Sequence, residues 1–192
     1  MRYLNLILIV LFTVSEVLGQ EVEKKLKYVN HTEFGGLVGR VKYSYYAGGE
    51  QQVTSKQSIT AQTFNGVRLN DRLVTGVVVG MDWYKTALIN PIAAGIRYDL
   101  TKGQAASLYT TADVGYGFAW FHDDTDGFDT SGGLMFNPGI GLRYGKPGGA
   151  AFTIGLSYKS QYVHVDKPQW NSIERYEKRV YNRLALRLGM QF

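Results

Sequence analysis

The chain holds three histidines, His31, His122 and His164, and no cysteine. Without thiols there is neither a disulfide framework nor a thiolate nucleophile or metal ligand. The histidines have no metal-site spacing, and the sequence contains neither a phosphate-cradling glycine loop nor a nucleophile elbow. His122, Asp123 and Ser131 supply the residue types of nucleophilic catalysis within one segment, but in a spacing that no such motif uses. The stretch "DDTDGFD", Asp123 to Asp129, gathers carboxylates around a glycine as calcium loops do. In a twelve-residue loop, however, position 1 would be His122 and position 12 Gly133, which does not supply the pattern's ligands. No catalytic residue, metal or cofactor is assigned, and the acidic stretch reads as a solvated loop.

A further set of polar residues recurs with regular spacing. Arg40, Lys42, Asp82, Arg97, Asp99, Asp113, Arg143, Lys159, Arg183 and Arg187 each occupy one parity of a segment whose other parity is apolar. Successive side chains of a strand point to opposite faces, so one parity is one face. In "NRLALRLGMQF" the apolar face is Leu184, Leu186, Leu188, Met190 and Phe192. "AFTIGLSYKSQY", "GLMFNPGIGLRY" and "SLYTTADVGYGFAW" alternate over ten residues or more in the same way. "LINPIAAGIRYD" and "LVTGVVVGMDWY" alternate with more noise. "LVGRVKYSYY" sets Arg40 and Lys42 against Val41, Tyr43 and Tyr45, and "VTSKQSITAQTF" shows only Ile59 and Ala61 against Ser58, Thr60 and Gln62. These segments predict eight antiparallel strands in an up-and-down meander.

The connections differ by end. "NGVRLND", "LTKGQ" and "GKPGG" are compact turns. "AGGEQQVTSK", "FHDDTDGFDTSG" and "HVDKPQWNSIERYEK" read as long polar loops, with only "YKTA" short at that end. Tyrosine (14) and glycine (23) are abundant, as suits pleated and tightly packed strands. A net charge of +5 with scattered basic residues argues against nucleic acid as a partner. The first residues follow another logic: Arg2, a mainly apolar run from Leu4 to Val14, then Val17 and Gly19 at the small-residue positions of a cleavage site. That is the secretory signal pattern, and the run is too short to span a bilayer as a helix. The expected organisation is a signal peptide over 1–19, a short periplasmic tail over 20–33, and a barrel over 34–192.

Aromatic residues choose which face points outward. Tyr43, Tyr45, Trp83, Phe118, Trp120 and Tyr162 fall at the loop ends of the apolar face, and Tyr98, Tyr144, Phe152 and Phe192 at the turn ends. Two aromatic girdles flanking an aliphatic middle match a bilayer, whereas a soluble barrel would turn its apolar face inward. The strands "GVVVGMDWY" and "MFNPGIGLRYG", with Leu188 and Met190 before the terminal Phe192, resemble the small eight-stranded outer-membrane β-barrel proteins of the OmpA/OmpX-like porin superfamily. The resemblance covers the chain from about Phe34. It implies a bacterial outer membrane, both barrel termini periplasmic, and contacts with lipid and lipopolysaccharide. It also implies reading of Leu188, Met190 and Phe192 by the barrel-assembly machinery. Members include anchors, adhesins, small-solute channels and lipid-modifying enzymes, so the resemblance names no activity.

An eight-stranded barrel has an interior only wide enough for side chains. Its inward charges must then be paired or wetted. Asp113, mid-strand, is expected to face Arg40 and Arg183 or Arg187 across the lumen as a salt-bridged plug. Two roles stay open. One is a non-enzymatic structural or interaction barrel working through its outer loops, possible partners including another membrane protein and divalent ions bridged by Asp123 to Asp129. The other is a narrow, anion-leaning pore for small solutes, with lipid modification a third option.

Overall fold

The computed structural model describes residues 27–44, 52–84, 87–101, 105–124, 128–146, 149–170 and 173–192, without side chains at 40–44, 52–56, 167–170 and 173–176. The expected signal peptide, Tyr45 and the side chains of Arg40, Lys42 and Tyr43 therefore lie outside the described residues. Among the described residues nine strands follow in order: β1 (Lys27–Ser44), β2 (Gln52–Arg68), β3 (Leu73–Tyr84), β4 (Ala87–Asp99), β5 (Ala106–Phe118), β6 (Asp129–Ser131), β7 (Gly133–Gly145), β8 (Ala151–Trp170) and β9 (Ile173–Gln191). Eight of them form the wall, each paired antiparallel with its neighbour in sequence, and β1 pairs with β9 to close it. β6 is a three-residue strand that rides on the outer part of β8.

The register gives the barrel its dimensions. Following paired residues around the wall leads from His31 through Phe64, Val78, Ala93, Gly115, Met135, Gln161 and Tyr181 to Val41. One circuit thus returns to β1 ten residues further along, the stagger of the closed sheet. Ten residues of rise over eight strands tilts the strands by about 40° and gives a backbone radius of about 8 Å. Such a bore is filled by side chains.

The two faces are chemically opposite. Val77, Ile96, Val114, Leu134, Ile140, Leu156, Leu184 and Leu188 stand exposed on the outside, with Tyr144, Phe152 and Phe192 at the turn end. Trp83, Phe118, Trp120 and Tyr162 mark the other end, Phe118 and Trp120 stacking at 4.3 Å between centroids. An apolar surface encircling a molecule has no stable state in water and is a surface for lipid. Closure leaves no sheet edge to desolvate. Even the last residue is tied in: Asn30 and Phe192 exchange backbone hydrogen bonds at 2.9 and 3.1 Å. Turns at that end are tight. Asn70 accepts from the amides of Arg72 and Leu73, both at 2.9 Å, so four residues reverse β2 into β3.

Three expectations change. β1 starts at Lys27, not Phe34, so residues 27–33 are wall and not tail, with His31 and Glu33 buried inside. The stretch "HVDKPQWNSIERYEK" is not a loop: β8 runs to Trp170 and β9 starts at Ile173, with a register shift between Lys167 and Trp170. Finally, the odd residues Val29, His31, Glu33 and Leu37 of β1 face inward, and Arg40 and Lys42 pair with Asn182 and Val180, the outward parity of β9. Their backbone positions are therefore not those of the lumen set.

Candidate functional site

Inward residues of the described strands make three tiers of polar contacts. Nearest the loop end, Asp82 of β3 binds Lys159 Nζ of β8 at 2.5 Å and accepts from Thr60 Oγ1 at 2.7 Å and Tyr84 Oη at 3.4 Å. Tyr84 belongs to an apolar cluster inside the barrel with Leu37, Ile89, Val163, Tyr181 and Ala185. Beside it the Arg183 guanidinium donates to the Gly39 carbonyl and lies about 6 Å from the rings of Tyr84 and Tyr181.

The middle tier runs along the wall. Arg97 of β4 donates to Asp113 Oδ1 of β5, and Asn137 of β7 donates to Asp113 Oδ2 at 2.8 Å. Asn137 Oδ1 accepts from Ser157 Oγ of β8 at 2.8 Å, which itself accepts from Arg187 Nη1 of β9 at 2.9 Å. The expectation that Asp113 bridges the lumen directly to Arg183 or Arg187 is thus corrected. Its cation is Arg97 on the adjacent strand, and Arg187 is reached only through Asn137 and Ser157. Register explains this, because Asp113 and Arg97 are two residues apart on neighbouring strands, while the first and last strands lie across the bore. Gly95 makes the room: a Cβ there would come within 2.6 Å of Asp113 Oδ1. Arg97 also lies 4.3 Å over the Phe64 ring, a desolvated cation–π contact.

At the turn end Asp99 is held between Arg68 at 3.2 Å and Arg143 at 3.1 Å, and Arg143 donates to Gln191 Oε1. Glu33 accepts from Gln62 Nε2 at 2.7 Å and lies 3.4 Å from His31 Nε2, which meets Thr153 Oγ1 at 2.8 Å. Tyr109 packs against His31 edge-on and fills the space over Gly141, where a Cβ would come within 2.4 Å of its ring. Below these residues a vestibule of about 370 Å³ opens, rimmed by Lys27, Arg68, Arg143 and Lys146 with Asp71 and Asp99.

Of the sequence-derived set, Asp82, Arg97, Asp113, Arg143, Lys159, Arg183 and Arg187 lie inside the barrel. Glu33, His31, Gln62, Asn137 and Tyr109 were not in that set. Reading the alternation back through "KYVNHTEF", with Tyr28 and Phe34 outward, is the signal that would have reached Glu33 and His31. Counting Glu33 and Glu177, the described interior holds five carboxylates beside the cations Arg68, Arg97, Arg143, Lys159, Arg179, Arg183 and Arg187. The basic excess among these described residues is two. The rim residues do not form a catalytic triad. His122 meets Asp124 at 3.3 Å rather than Asp123, its Nδ1 accepts from the Leu88 amide, and Ser131 pairs in β6 with His164. Among the described residues no group of three histidines or carboxylates is placed to hold a metal ion.

No family model matches the sequence, and no curated protein matches it. Solved structures do. The outer membrane protein OprG from Pseudomonas aeruginosa superposes with a TM-score of 0.61 at 13% identity, over 85% of this chain and 93% of that one. AlkL, solved in lipid bilayers, gives 0.52 at 14% identity, over 91% and 93%. The N-terminal β-barrel domain of Pseudomonas aeruginosa OprF gives 0.50 at 16% identity, over 86% and 97%. At such identities the likeness is one of architecture. In fold, this chain is a closed eight-stranded β-barrel like those of these outer-membrane proteins.

Proposed function

We propose that this barrel resides in a bacterial outer membrane with both barrel termini in the periplasm, and acts as a non-enzymatic structural or interaction protein through its outer end. One observation carries the reading: the bore is occupied by the Asp82–Lys159 pair and by the hydrogen-bonded group of Arg97, Asp113, Asn137 and Arg187, buried side chains drawn from six strands. A lumen filled in this way leaves surfaces as the means of action. The outer end supplies one, because β8 and β9 continue together beyond Tyr162 and β6 adds to them as a third strand. Exposed Asp129, Ser131, His164, Asp166 and Lys178 sit on that platform. Lipopolysaccharide head groups and a partner membrane protein are the partners that suit it.

A second reading, an anion-leaning pore, draws support from the vestibule, whose rim carries four cations and two carboxylates. Planar-bilayer recording separates the two. The filled bore predicts no steady conductance from the purified wild-type barrel. Small, persistent, anion-selective steps would overturn the filled-lumen reading and favour the pore.

A further inference from the structure

The turn end of the bore holds more positive charge than its carboxylates neutralise. Lys27 of β1, Arg68 of β2, Arg143 of β7 and Lys146 of the following turn line the vestibule with Asp71 and Asp99. With the terminal carboxylate of Phe192 counted as well, the lining is still basic. The two arginines are the informative pair. Arg68 Nη1 donates to Asp99 Oδ2 at 3.2 Å and to the Asp71 carbonyl at 3.3 Å. Arg143 Nη1 lies 3.1 Å from Asp99 Oδ1 and donates to Gln191 Oε1 at 3.2 Å. Each guanidinium is thus engaged through one of its three nitrogens. Nε and Nη2 of both, the side edge that grips two oxygens of one anion, meet no acceptor among the described residues.

Asp99 neutralises one guanidinium, and the charge of the second is surplus. Sharing one carboxylate sets Nη1 of the two arginines no more than about 8.5 Å apart, by the two contact lengths and the width of a carboxylate. An anion of phosphate size spans such a gap with one hydrogen bond to each side. A carboxylate ligand would only repeat what Asp99 supplies, two oxygens and one charge. A phosphate brings further acceptor oxygens and a charge approaching two, which suits two open guanidinium edges. The guanidiniums are partly exposed in a recess of about 370 Å³. That is within the size range of small-ligand pockets, which occur at the mouths of β-barrels. The recess is open enough for entry, and its walls focus the field of the surplus charge.

We propose that the vestibule binds a phosphate-type oxyanion, clamped between the open edges of Arg68 and Arg143, with Lys27 and Lys146 drawing it in from the rim. The buried His31, Glu33 and Tyr109 above it make this a blind site and not the entrance of a channel. The site goes beyond the surface role proposed for the outer end. In the orientation given there it opens to the periplasm, where two sources carry the same chemistry: a soluble phosphate or phosphate ester, and the head group of a phospholipid.

The test is calorimetric titration of the purified full-length barrel with inorganic phosphate, in phosphate-free neutral maltoside micelles at an ionic strength held constant with chloride. In micelles both ends are open, so the result does not depend on the orientation in a membrane, and heat-modifiable migration scores folding separately. Wild type is expected to bind one phosphate saturably, with a Kd below about 1 mM. Arg68→Gln and Arg143→Gln should each weaken binding at least about tenfold. If neither folds, Lys27→Gln combined with Lys146→Gln, both exposed at the rim, should weaken it about threefold or more. Phosphatidylglycerol added to the micelles separates the sources: lipid that displaces phosphate assigns the site to a head group, and unchanged binding assigns it to a soluble phosphate. A folded wild type without saturable binding above the chloride background would overturn the proposal. So would undiminished binding by a folded Arg143→Gln or, where the arginine variants do not fold, by the lysine pair; the arginines would then serve only to hold Asp99.

Discussion

Asp82 and Asp99 sit at opposite ends of one bore, and each is held by basic side chains from neighbouring or facing strands. Their surroundings differ. Asp82 and Lys159 are 0 and 1% exposed, and Tyr84, whose hydroxyl donates to Asp82, belongs to the apolar cluster of Leu37, Ile89 and Tyr181. Asp99 has two cationic partners rather than one, but its guanidiniums are 23 and 18% exposed on the wall of the vestibule, in reach of water and salt. More ion pairs thus coincide with less isolation. An ion pair's dependence on its partner is set by how much water could replace that partner, not by how many partners it has.

The largest effect should follow from breaking the dry pair. Asp82→Ala leaves the Lys159 ammonium enclosed without its carboxylate, at a cost of about 3–5 kcal/mol. Urea unfolding of the barrel in vesicles reads this as an earlier midpoint. Asp82→Leu combined with Lys159→Met removes both charges and should recover most of the loss, since the desolvation of the pair disappears with it. If the double variant is as unstable as the single one, the pair is holding the fold by something other than its charge.

Asp99→Asn sharpens the contrast from the wet side. Arg68 and Arg143 keep access to water, so the loss should stay below about 1 kcal/mol and shrink further in salt. A loss as large as that of Asp82→Ala would mean that the vestibule is as dry as the tier above it.

The sequence was legible where the two faces meet two different solvents at membrane depth. From β3 to β9 the apolar parity read from the residues is the outward parity found, because lipid tolerates no substitute for Val77, Ile140 or Leu186. β1 was misread at both ends for physical reasons. Beyond the apolar band both faces are wet, so the charges of Arg40 and Lys42 carry no information about side. At the other end Asn30 and Thr32 point outward and Val29 inward, which inverts the pattern of a lipid-facing strand and made residues 27–33 look like a tail. The network's partners were less legible still. Asp113 was recognisable as inward, but its pairing with Arg97 depends on register, which one strand's alternation does not reveal. The long outer hairpin was obscured by its polarity and by Pro168, since polar strands above a membrane resemble loops.

The smallest effect belongs to the outer connection, where Asp124 plays for the loop the part that Asp82 plays for the bore, but exposed. It accepts from the Thr130 amide at 2.8 Å and from the Thr130 hydroxyl, and it meets His122, whose Nδ1 accepts from the Leu88 amide at 3.3 Å. The segment between β5 and β6 is thereby clamped to the start of β4. Partial burial pushes the Asp124 carboxyl up, but the two Thr130 bonds, with His122 beside them, outweigh it and hold it below its ordinary value. A carboxyl depressed in the folded state contributes stability above its unfolded value and loses that contribution as pH falls through the folded one. The clamp should therefore be complete at pH 5 and open only below about pH 4. Asp124→Ala should cost about 1 kcal/mol locally, seen as a roughly fivefold faster hydrogen exchange at Thr130 with the global unfolding midpoint unchanged. Protection at Thr130 that is already lost between pH 7 and 5 in the wild type would show that a group other than the Asp124 carboxylate controls the loop.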